Sequence, residues 1–334
     1  MAIAHHHIRQ YRIAAKVAFF ALFLFAPLLD IFRFDLLLGH FILFGQPWTI
    51  SIEPILQGGS AIDATLKIFA RVLLPGIAFV VVTGWLIWRY GRIYCGWLCP
   101  HFSVVELINS LMLKLLSRVT LWEQPQKPNH SIAHRIIIAS VAIAMAFIWA
   151  LGLLSYLLPP KLLLHELLTA SLGFGSTIFL IAATAIFTID FVFARHIFCK
   201  YGCALGLFQS LIWMANRKAM VIKFDRQRAK ICRTCSQAHN GKPCEQACPM
   251  RLPPRNMKRA KFTCTQCGEC ISACSDVQKN FANVAVSKAR AESIPVTIIN
   301  ATSDTPVEKS LLSWVVDEEA KSVDRAAIKV KTVR

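Results

Sequence analysis

Cysteine is the residue most able to do chemistry in this 334-residue chain. All twelve cysteines fall into four short-spaced groups, and none is left over. The groups occupy positions 95/99, 199/203, 232/235/244/248 and 264/267/270/274. Thiols at such short spacings are typical of ligands for soft metal ions and clusters. The chain is therefore predicted to use its sulfur for ligation.

The last two groups have the spacing of ligands for two 4Fe–4S clusters. In the run CTQCGECISAC (264–274), three thiolates can surround one cluster, and the fourth turns towards a second cluster. The group at 232–248 has the same skeleton with a longer gap before its third cysteine. Pro249 follows its crossing cysteine, whereas Ser275 follows Cys274. Crossed ligation assigns cluster one to Cys232, Cys235, Cys244 and Cys274, and cluster two to Cys248, Cys264, Cys267 and Cys270.

Zinc and disulfides are the alternatives for these eight cysteines. Zinc is usually held by four tetrahedral ligands, commonly in two separated pairs, and three ligands crowded into one run suit a cubane cluster better. Disulfides are disfavoured on the cytoplasmic side of a membrane. Two 4Fe–4S clusters are the preferred interpretation.

The first two groups form a repeated motif. RIYCGWLCP (92–100) and HIFCKYGCA (196–204) align at an offset of 104. Residues four apart share a helix face, so each pair can present two sulfurs together. Pro100 can start a helix after the first pair, and Ala204 takes that place in the second. Nearby cations are expected to favour thiolates. These cations are Arg89, Arg92, His196 and Lys200.

Four interpretations of these membrane cysteines (Cys95, Cys99, Cys199 and Cys203) stay open. All four sulfurs could ligate one further 4Fe–4S cluster. They could bind copper as Cu(I), which soft thiolates prefer. They could act as redox-active dithiols, or they could be buried structural thiols. The equal spacing in two copies argues against the last.

Membrane helices are predicted to position the motifs. Apolar residues make up 55% of the chain and are bunched into four segments long enough to span a bilayer. The predicted spans are 13–33, 68–88, 136–158 and 174–194. Each cysteine pair follows the second helix of a helix pair, which predicts a four-helix bundle of two pseudo-repeated helix pairs. Amphipathic surface helices are predicted over 102–116 and 205–214, and a hairpin over 40–52.

The charge distribution predicts how the chain is oriented across the membrane. The formal net charge is +18, but no basic fold with interleaved aromatic residues is visible, so nucleic-acid binding is not expected. Lys and Arg are concentrated in the 89–135 loop, which places that loop and both termini in the cytoplasm. The predicted domains are a membrane domain (1–216), a small α+β two-cluster ferredoxin domain (217–290) and a partly disordered tail (291–334).

Other residues carry weaker signals. Asp190, near the inner end of the fourth span, is predicted to pair with an arginine such as Arg195, with a functional carboxylate as the alternative. His101 is predicted to be a surface histidine, with a role as a ligand or hydrogen-bond partner as the alternative. His40, His165 and Glu166 are predicted to lie on the outer side, where they could meet copper or a quinone. No histidine pair is placed to hold haem b. Trp48 and Trp97 are predicted to be interfacial anchors.

Together, the four spans, the two Cx3C motifs and the two-cluster module resemble the membrane polyferredoxins. These are the NapH, NosR (its membrane part) and CcoG/FixG/RdxA proteins. The segments FQSLIWMANRKAMVIKFDRQRA and CTQCGECISAC carry the resemblance to the NosR and CcoG/FixG side.

The resemblance implies an electron-transfer protein of the bacterial inner membrane that serves a respiratory or periplasmic metalloenzyme. It also implies a redox partner subunit or a quinone. Cupric reductase activity in the assembly of a haem–copper oxidase, and a non-catalytic redox sensor or scaffold, are the alternatives.

Overall fold

We describe the fold from a computed structural model of the chain. It describes residues 5–49, 61–117, 132–226, 228–229, 232, 235, 242–278 and 310–316. The chain divides into two compact units whose segments alternate along the sequence. The cysteine-rich unit comprises Met1–Ala15, Leu86–Trp97 and Cys203–Arg334, and the helical unit comprises Lys16–Trp85 and Leu98–Gly202.

The described residues are mostly helical. The α-helices are α1 (His5–Leu28), α2 (Ala61–Ile68), α3 (Leu74–Tyr90), α4 (Ile93–Trp97), α5 (Pro100–Leu116), α6 (Ile132–Ser155), α7 (Pro160–Leu168), α8 (Phe174–Ile189), α9 (Ala204–Ala215) and α10 (Pro243–Gln246). Residues 269–278 are also helical. Short π-helical turns occupy Phe69–Leu73, Asp190–Ala194 and Phe198–Gly202, and a 3-10 turn occupies Lys258–Lys261.

Among the described residues, four helices are long and apolar enough to cross a membrane, in agreement with the predicted number of spans. They are Ile8–Leu28, Thr65–Tyr90, Ile132–Ser155 and Phe174–Ala194. The second runs through α2, a π-helical turn and α3, and α3 has no buried residue. Helices are present over both stretches predicted to be amphipathic, as α5 and α9, and their position on a membrane surface stays a prediction.

The first span ends earlier than predicted. The sequence predicts that it reaches residue 33, but α1 ends at Leu28 with Pro27 in its last turn. Asp30 then takes a left-handed conformation (φ 53). Arg33 forms ion pairs with Asp30 (2.6 Å) and Asp35 (2.7 Å). These three charged residues are satisfied by one another outside the helix, which accounts for its early end.

A three-stranded antiparallel sheet follows α1. Its strands are β1 (Phe32–Asp35), β2 (His40–Leu43) and β3 (Gln46–Trp48), in the order β1-β2-β3. The predicted hairpin over 40–52 is confirmed for β2 and β3, with Gly45 (φ 74) in the turn. The sequence analysis missed β1, because the apolar pattern runs from the first span straight into it.

The core of the helical unit forms where α5 meets α6 and the turn after α8. Val105, Ile108 and Met112 on α5 are almost fully buried against Ala142 and Ala146 of α6. These α5 residues recur at helical spacing, so one face of the helix is committed to the core. The alanines on α6 allow the two helices to approach closely. α5 therefore holds its N-terminal end, next to Cys99, in a fixed position within this unit.

In the cysteine-rich unit, β4 (Val221–Phe224) pairs antiparallel with β5 (Leu312–Val315). This apolar run was predicted to lie in a partly disordered tail. Leu311 and Leu312 are in fact buried, at 4% and 1% exposure. Residues 310–316 therefore belong to the folded unit. The predicted boundary at 290/291 lies outside the described residues, and that at 216/217 stays a prediction.

Candidate iron–sulfur centres

The four cysteines predicted to bind cluster two line one cavity. Cys248, Cys264, Cys267 and Cys270 share it with apolar walls from Ile222, Met250, Leu252 and Pro254. The structure thus brings this predicted ligand set together around a mostly apolar space. An apolar shell restricts water around a bound cluster, which is one of the protein's means of setting its potential.

The loop over residues 264–270, here called the cluster-two loop, curls tightly to present its cysteines. Gln266 (φ 53) and Gly268 (φ 79) both adopt left-handed backbone conformations. The helix over 269–278 begins directly afterwards and carries Cys270 and Cys274 one turn apart. The turn and the helix together position the sulfurs that the spacing predicts.

Burial controls the protonation of these thiols. It raises the pKa of Cys264 to about 12, with the neighbouring charges of Cys248 and Cys267 adding to the effect. It likewise raises the pKa of Cys248 to about 11. Without a cation these groups hold their protons, whereas coordination to a metal deprotonates a thiol. The donor set therefore fits a cationic iron–sulfur centre.

Three of the four predicted cluster-one ligands also lie together. Burial raises the pKa of Cys244 to about 11, and the charges of Cys274 and Cys232 raise it further. Arg255 donates a hydrogen bond to the sulfur of Cys232 (3.4 Å) and pairs with Glu245 (3.0 Å). Nothing in the described residues connects Cys235 to this group, so its role stays a prediction.

The strand β5 completes the surroundings of Cys274. Burial raises the pKa of Cys274, while hydrogen bonds from Ser310, Leu311 and Leu312 oppose that rise. The hydroxyl of Ser310 donates to the carbonyl oxygen of Ile271 (3.4 Å). The late apolar run of the chain therefore contributes donors to a predicted cluster ligand.

Within the cysteine-rich unit, the first and second Cx3C motifs meet. The thiol of Cys95 on α4 donates to the side-chain oxygen of Gln209 on α9 (3.3 Å). Cys203 caps the N-terminus of α9, where its sulfur accepts a hydrogen bond from the backbone N–H of Gly206 (3.4 Å). Arg92 lies against Gly206, where any side chain would clash with its guanidinium. Two of the four membrane cysteines therefore face one another across α4 and α9.

The expectation of an activated thiolate at Cys95 is wrong. Burial is the largest influence and raises the pKa of Cys95. The charge of Arg92 opposes this effect without overcoming it, and Cys203 adds to the rise. Desolvation exceeds the local positive charge because Cys95 is only 7% exposed. Such a thiol suits ligation better than attack on a substrate.

In the helical unit, His101 follows Cys99 by two residues and lies close to Cys199. Cys99 is the N-cap of α5, whose first turn carries Pro100 and His101, as predicted for the proline. The Nδ1 atom of His101 lies 3.6 Å from the sulfur of Cys199. Its Nε2 atom lies 2.5 Å from a carboxylate oxygen of Asp190.

Two predictions about these residues are wrong. His101 is largely buried, because α5 carries it inward rather than along a surface. Asp190 pairs with His101 and not with Arg195, whose guanidinium contacts Asn109 and Met112. The five-residue π-helical turn Asp190–Ala194 separates the two side chains along the helix. The sequence could not reveal that turn.

Each membrane pair is divided between the two units. Cys95 and Cys203 belong to the cysteine-rich unit, and Cys99 and Cys199 belong to the helical unit. A four-sulfur site therefore stays a prediction. Among the described residues, no three His, Cys, Asp or Glu side chains form a group able to hold a single metal ion. A cubane spreads its thiolates over four iron atoms and does not require such a group.

The cluster-two loop rests directly on the first Cx3C motif. A side chain at Gly96, the residue after Cys95, would clash with the carbonyl oxygen of Thr265. The indole N–H of Trp97 donates to the carbonyl oxygen of Gln266 (3.1 Å). Trp97 therefore holds this loop, whereas the sequence analysis predicted an interfacial anchor. Sequence reasoning missed this contact because neither glycine nor tryptophan signals a partner by its spacing.

The residues predicted on the outer side do not converge. His40 lies on β2, and His165 and Glu166 lie on α7. In the described residues, no hydrogen bond or ion pair connects the three. No group of three such side chains in the described part of the chain could hold a metal ion, and contact with a quinone stays a prediction. Trp48 is 38% exposed on β3.

Comparison with known families finds matches in the two segments that carry the Cx3C motifs. A family model described as a 4Fe-4S binding domain matches residues 72–118 and again residues 176–221. The first match contains Cys95 and Cys99, and the second contains Cys199 and Cys203. One model therefore fits both halves of the predicted repeat.

Several curated proteins are similar to this chain. The putative electron transport protein YccM of Escherichia coli is 24% identical over 62% of this chain and 54% of its own length. The ferredoxin-type protein NapH of E. coli is 25% identical over 62% of this chain and 67% of its own. The regulatory protein NosR of Pseudomonas aeruginosa is 27% identical over 63% of this chain and 27% of its own. No solved structure matches.

Four apolar spans, a ferredoxin-type module and two 4Fe–4S binding matches define an iron–sulfur protein of a membrane. The similarity to NapH and NosR proteins confirms the resemblance to the membrane polyferredoxins. The family match and the similar proteins support an iron–sulfur electron-transfer role.

Proposed function

We propose that the protein carries electrons between two 4Fe–4S clusters in its cysteine-rich module and a further centre at the membrane cysteines. Cluster one is assigned to Cys232, Cys235, Cys244 and Cys274, and cluster two to Cys248, Cys264, Cys267 and Cys270. The further centre is assigned to Cys95, Cys99, Cys199 and Cys203. Bound there, iron–sulfur clusters supply one-electron redox chemistry.

The contact between the cluster-two loop and the first Cx3C motif carries this proposal. Thr265 and Gln266 lie between two predicted cluster-two ligands, and they touch Gly96 and Trp97. Gly96 is bonded directly to Cys95. The backbone next to a predicted ligand of one centre therefore touches the backbone between two predicted ligands of the other. Such close contact favours electron transfer, because tunnelling rates fall steeply with distance.

A 4Fe–4S cluster is the preferred occupant of the membrane cysteines. The family model that covers both motifs describes 4Fe–4S binding, and this favours iron over copper. The high pKa of Cys95 argues against a reactive dithiol. Copper reduction for oxidase assembly has no comparable support and stays an alternative.

The assignment is tested by counting iron in cysteine variants. The full chain, purified anaerobically in detergent, is expected to contain about twelve iron atoms per chain, and about eight if the membrane cysteines hold none. In Cys95→Ser/Cys199→Ser we expect about four iron atoms to be lost, with the ferredoxin signals kept in electron paramagnetic resonance (EPR) spectra. Iron and acid-labile sulfide analysis measures the loss.

The matched control is Cys264→Ser, which should disturb cluster two and leave the membrane centre. If wild-type protein contains no reducible 4Fe–4S signal, the proposal fails. If the Cys95→Ser/Cys199→Ser variant keeps all its iron but loses bound copper or cupric reductase activity, the copper alternative takes its place.

The partners and location follow as part of the same proposal. The protein is placed in a bacterial inner membrane with both termini in the cytoplasm, on the basis of its Lys and Arg distribution. No group on its outer side is assigned to carry electrons onward. A redox partner subunit or a quinone is therefore proposed to complete the path to a respiratory or periplasmic metalloenzyme.

A further inference from the structure

A buried arginine lies in the first turns of α1. Arg12 falls within the apolar span Ile8–Leu28, yet only 3% of it is exposed. A buried guanidinium loses its hydration, so it needs strong acceptors nearby. Ionisable residues within membrane spans are rare, and their partners indicate what they do.

The partners of Arg12 come from both halves of the proposed electron path. Its Nε atom donates to the carbonyl oxygen of Gly96 (2.9 Å). Its Nη1 atom forms an ion pair with Glu269 (2.6 Å). Gly96 follows the membrane ligand Cys95, and Glu269 precedes the cluster-two ligand Cys270. One guanidinium therefore bridges the first Cx3C motif and the cluster-two loop.

The residue one turn earlier supports the same contact. Ile8 precedes Arg12 by four residues, so both lie on one face of α1. Ile8 is 4% exposed, and a side chain built at Gly268 would lie 3.2 Å from its Cγ2 atom. The first turns of α1 thus press an apolar and a charged side chain against adjacent residues of the cluster-two loop.

We propose that Arg12 is a positioning residue that clamps the cluster-two loop onto the Cys95 motif and so fixes the distance that electrons cross. The effect on electron transfer rests on the proposed function, whereas the contact of Arg12 with the loop does not. The planar guanidinium donates to two acceptors in fixed directions at once, whereas the ammonium of lysine is a point charge on a flexible stem. Positive charge alone is therefore not sufficient to hold both acceptors at this position.

The test compares Arg12→Gln, Arg12→Lys and Glu269→Gln in the full chain, purified anaerobically with its clusters. The matched control is Arg9→Gln, because Arg9 lies on the same helix but is exposed. Hydrogen–deuterium exchange measures how firmly Arg12 holds the cluster-two loop. Pulsed EPR reports the magnetic coupling between cluster two and the membrane centre, which depends on their separation.

We expect Arg12→Gln to raise amide exchange over residues 264–270 about tenfold, which corresponds to about 1.4 kcal/mol of lost local stability. The coupling between the two centres should weaken, and electron transfer between them should slow, while iron content stays at the wild-type level. Arg12→Lys should recover only part of the coupling. Glu269→Gln preserves the shape of the side chain and should also raise amide exchange and weaken the coupling. It replaces Arg12→Gln in the test if that variant does not fold.

Two outcomes separate this inference from the proposed function. If Arg12→Gln and Glu269→Gln leave exchange and coupling as in wild type, Arg12 is not a clamp, although the clusters remain. If wild-type protein has no clusters, the proposed function fails. The exchange measurement then still decides whether Arg12 holds the loop.

Discussion

At the residue scale, Gly96 marks the closest approach between the first Cx3C motif and the cluster-two loop. Its missing side chain allows the carbonyl oxygen of Thr265 to lie where a Cβ atom would be. Trp97 then fixes the loop through its hydrogen bond to Gln266. The smallest and the largest side chains of the motif thus have complementary roles at one contact.

Gly96→Ala is predicted to separate these two elements. The added methyl group must displace backbone rather than a flexible side chain, so we expect a loss of about 1–3 kcal/mol in the free energy of unfolding. We also expect slower electron transfer between cluster two and the membrane centre, measured by rapid-freeze EPR after reduction.

Gly84→Ala is the matched control, because nothing lies within 4 Å of a side chain at that position in α3. If Gly96→Ala behaves like Gly84→Ala in both stability and electron transfer, the packing described for Gly96 does not control the path.

At the element scale, β5 connects the end of the described chain to the ferredoxin ligands. It pairs with β4, donates hydrogen bonds towards Cys274 and places Trp314 over Gly268. Side chains alternate between its two faces, with Leu312 buried and Ser313 exposed. The strand therefore acts as a cover for the predicted ligands of both clusters.

Leu312→Asp is predicted to detach this cover. A carboxylate in place of a side chain that is 1% exposed has no partner, so β5 should leave β4. We expect faster bleaching of the visible iron–sulfur absorbance in air and increased protease cleavage near residue 310. Ser313→Asp places the same charge on the exposed face and should behave like wild type. Equal bleaching rates in the two variants would contradict the role of β5.

The sequence predicted the ligand groups and the helices, but it did not predict the contacts between them. Cysteine spacing identifies a ligand set because ligation constrains neighbouring residues along the chain. Arg12, Gly96 and β5 act between segments far apart in sequence, and no local pattern records such a contact. Arg12 lies just before the predicted span 13–33, so it is recognised as a charge inside a membrane helix only once the structure extends that helix to Ile8.

At the scale of the whole molecule, the segments of the two compact units alternate along the chain. The cysteine-rich unit therefore contains the beginning of the first membrane span and the end of the second. The cysteine-rich unit takes its parts from the first turns of α1, the end of α3 with α4, and everything from Cys203 onward. Cys95, Gly96 and Trp97 of the first Cx3C motif consequently belong to the same unit as the predicted ferredoxin ligands.

The orientation of the spans is predicted by the positive-inside rule. Reporter fusions test it: a fluorescent protein that folds only in the cytoplasm should be active after residue 334 or within 118–131. Alkaline phosphatase should be active only when it is inserted within 50–60. Phosphatase activity at residue 334 would place the clusters on the opposite side and overturn the assigned topology.

The position of β5 in the chain also has a consequence for biosynthesis. A ribosome completes all twelve cysteines before it makes residues 312–315, so the eight ferredoxin ligands exist before the strand that covers Cys274. The strand that covers Cys274 is therefore made after every predicted ligand of the module, and its pairing with β4 is a late step that must follow the synthesis of all twelve cysteines.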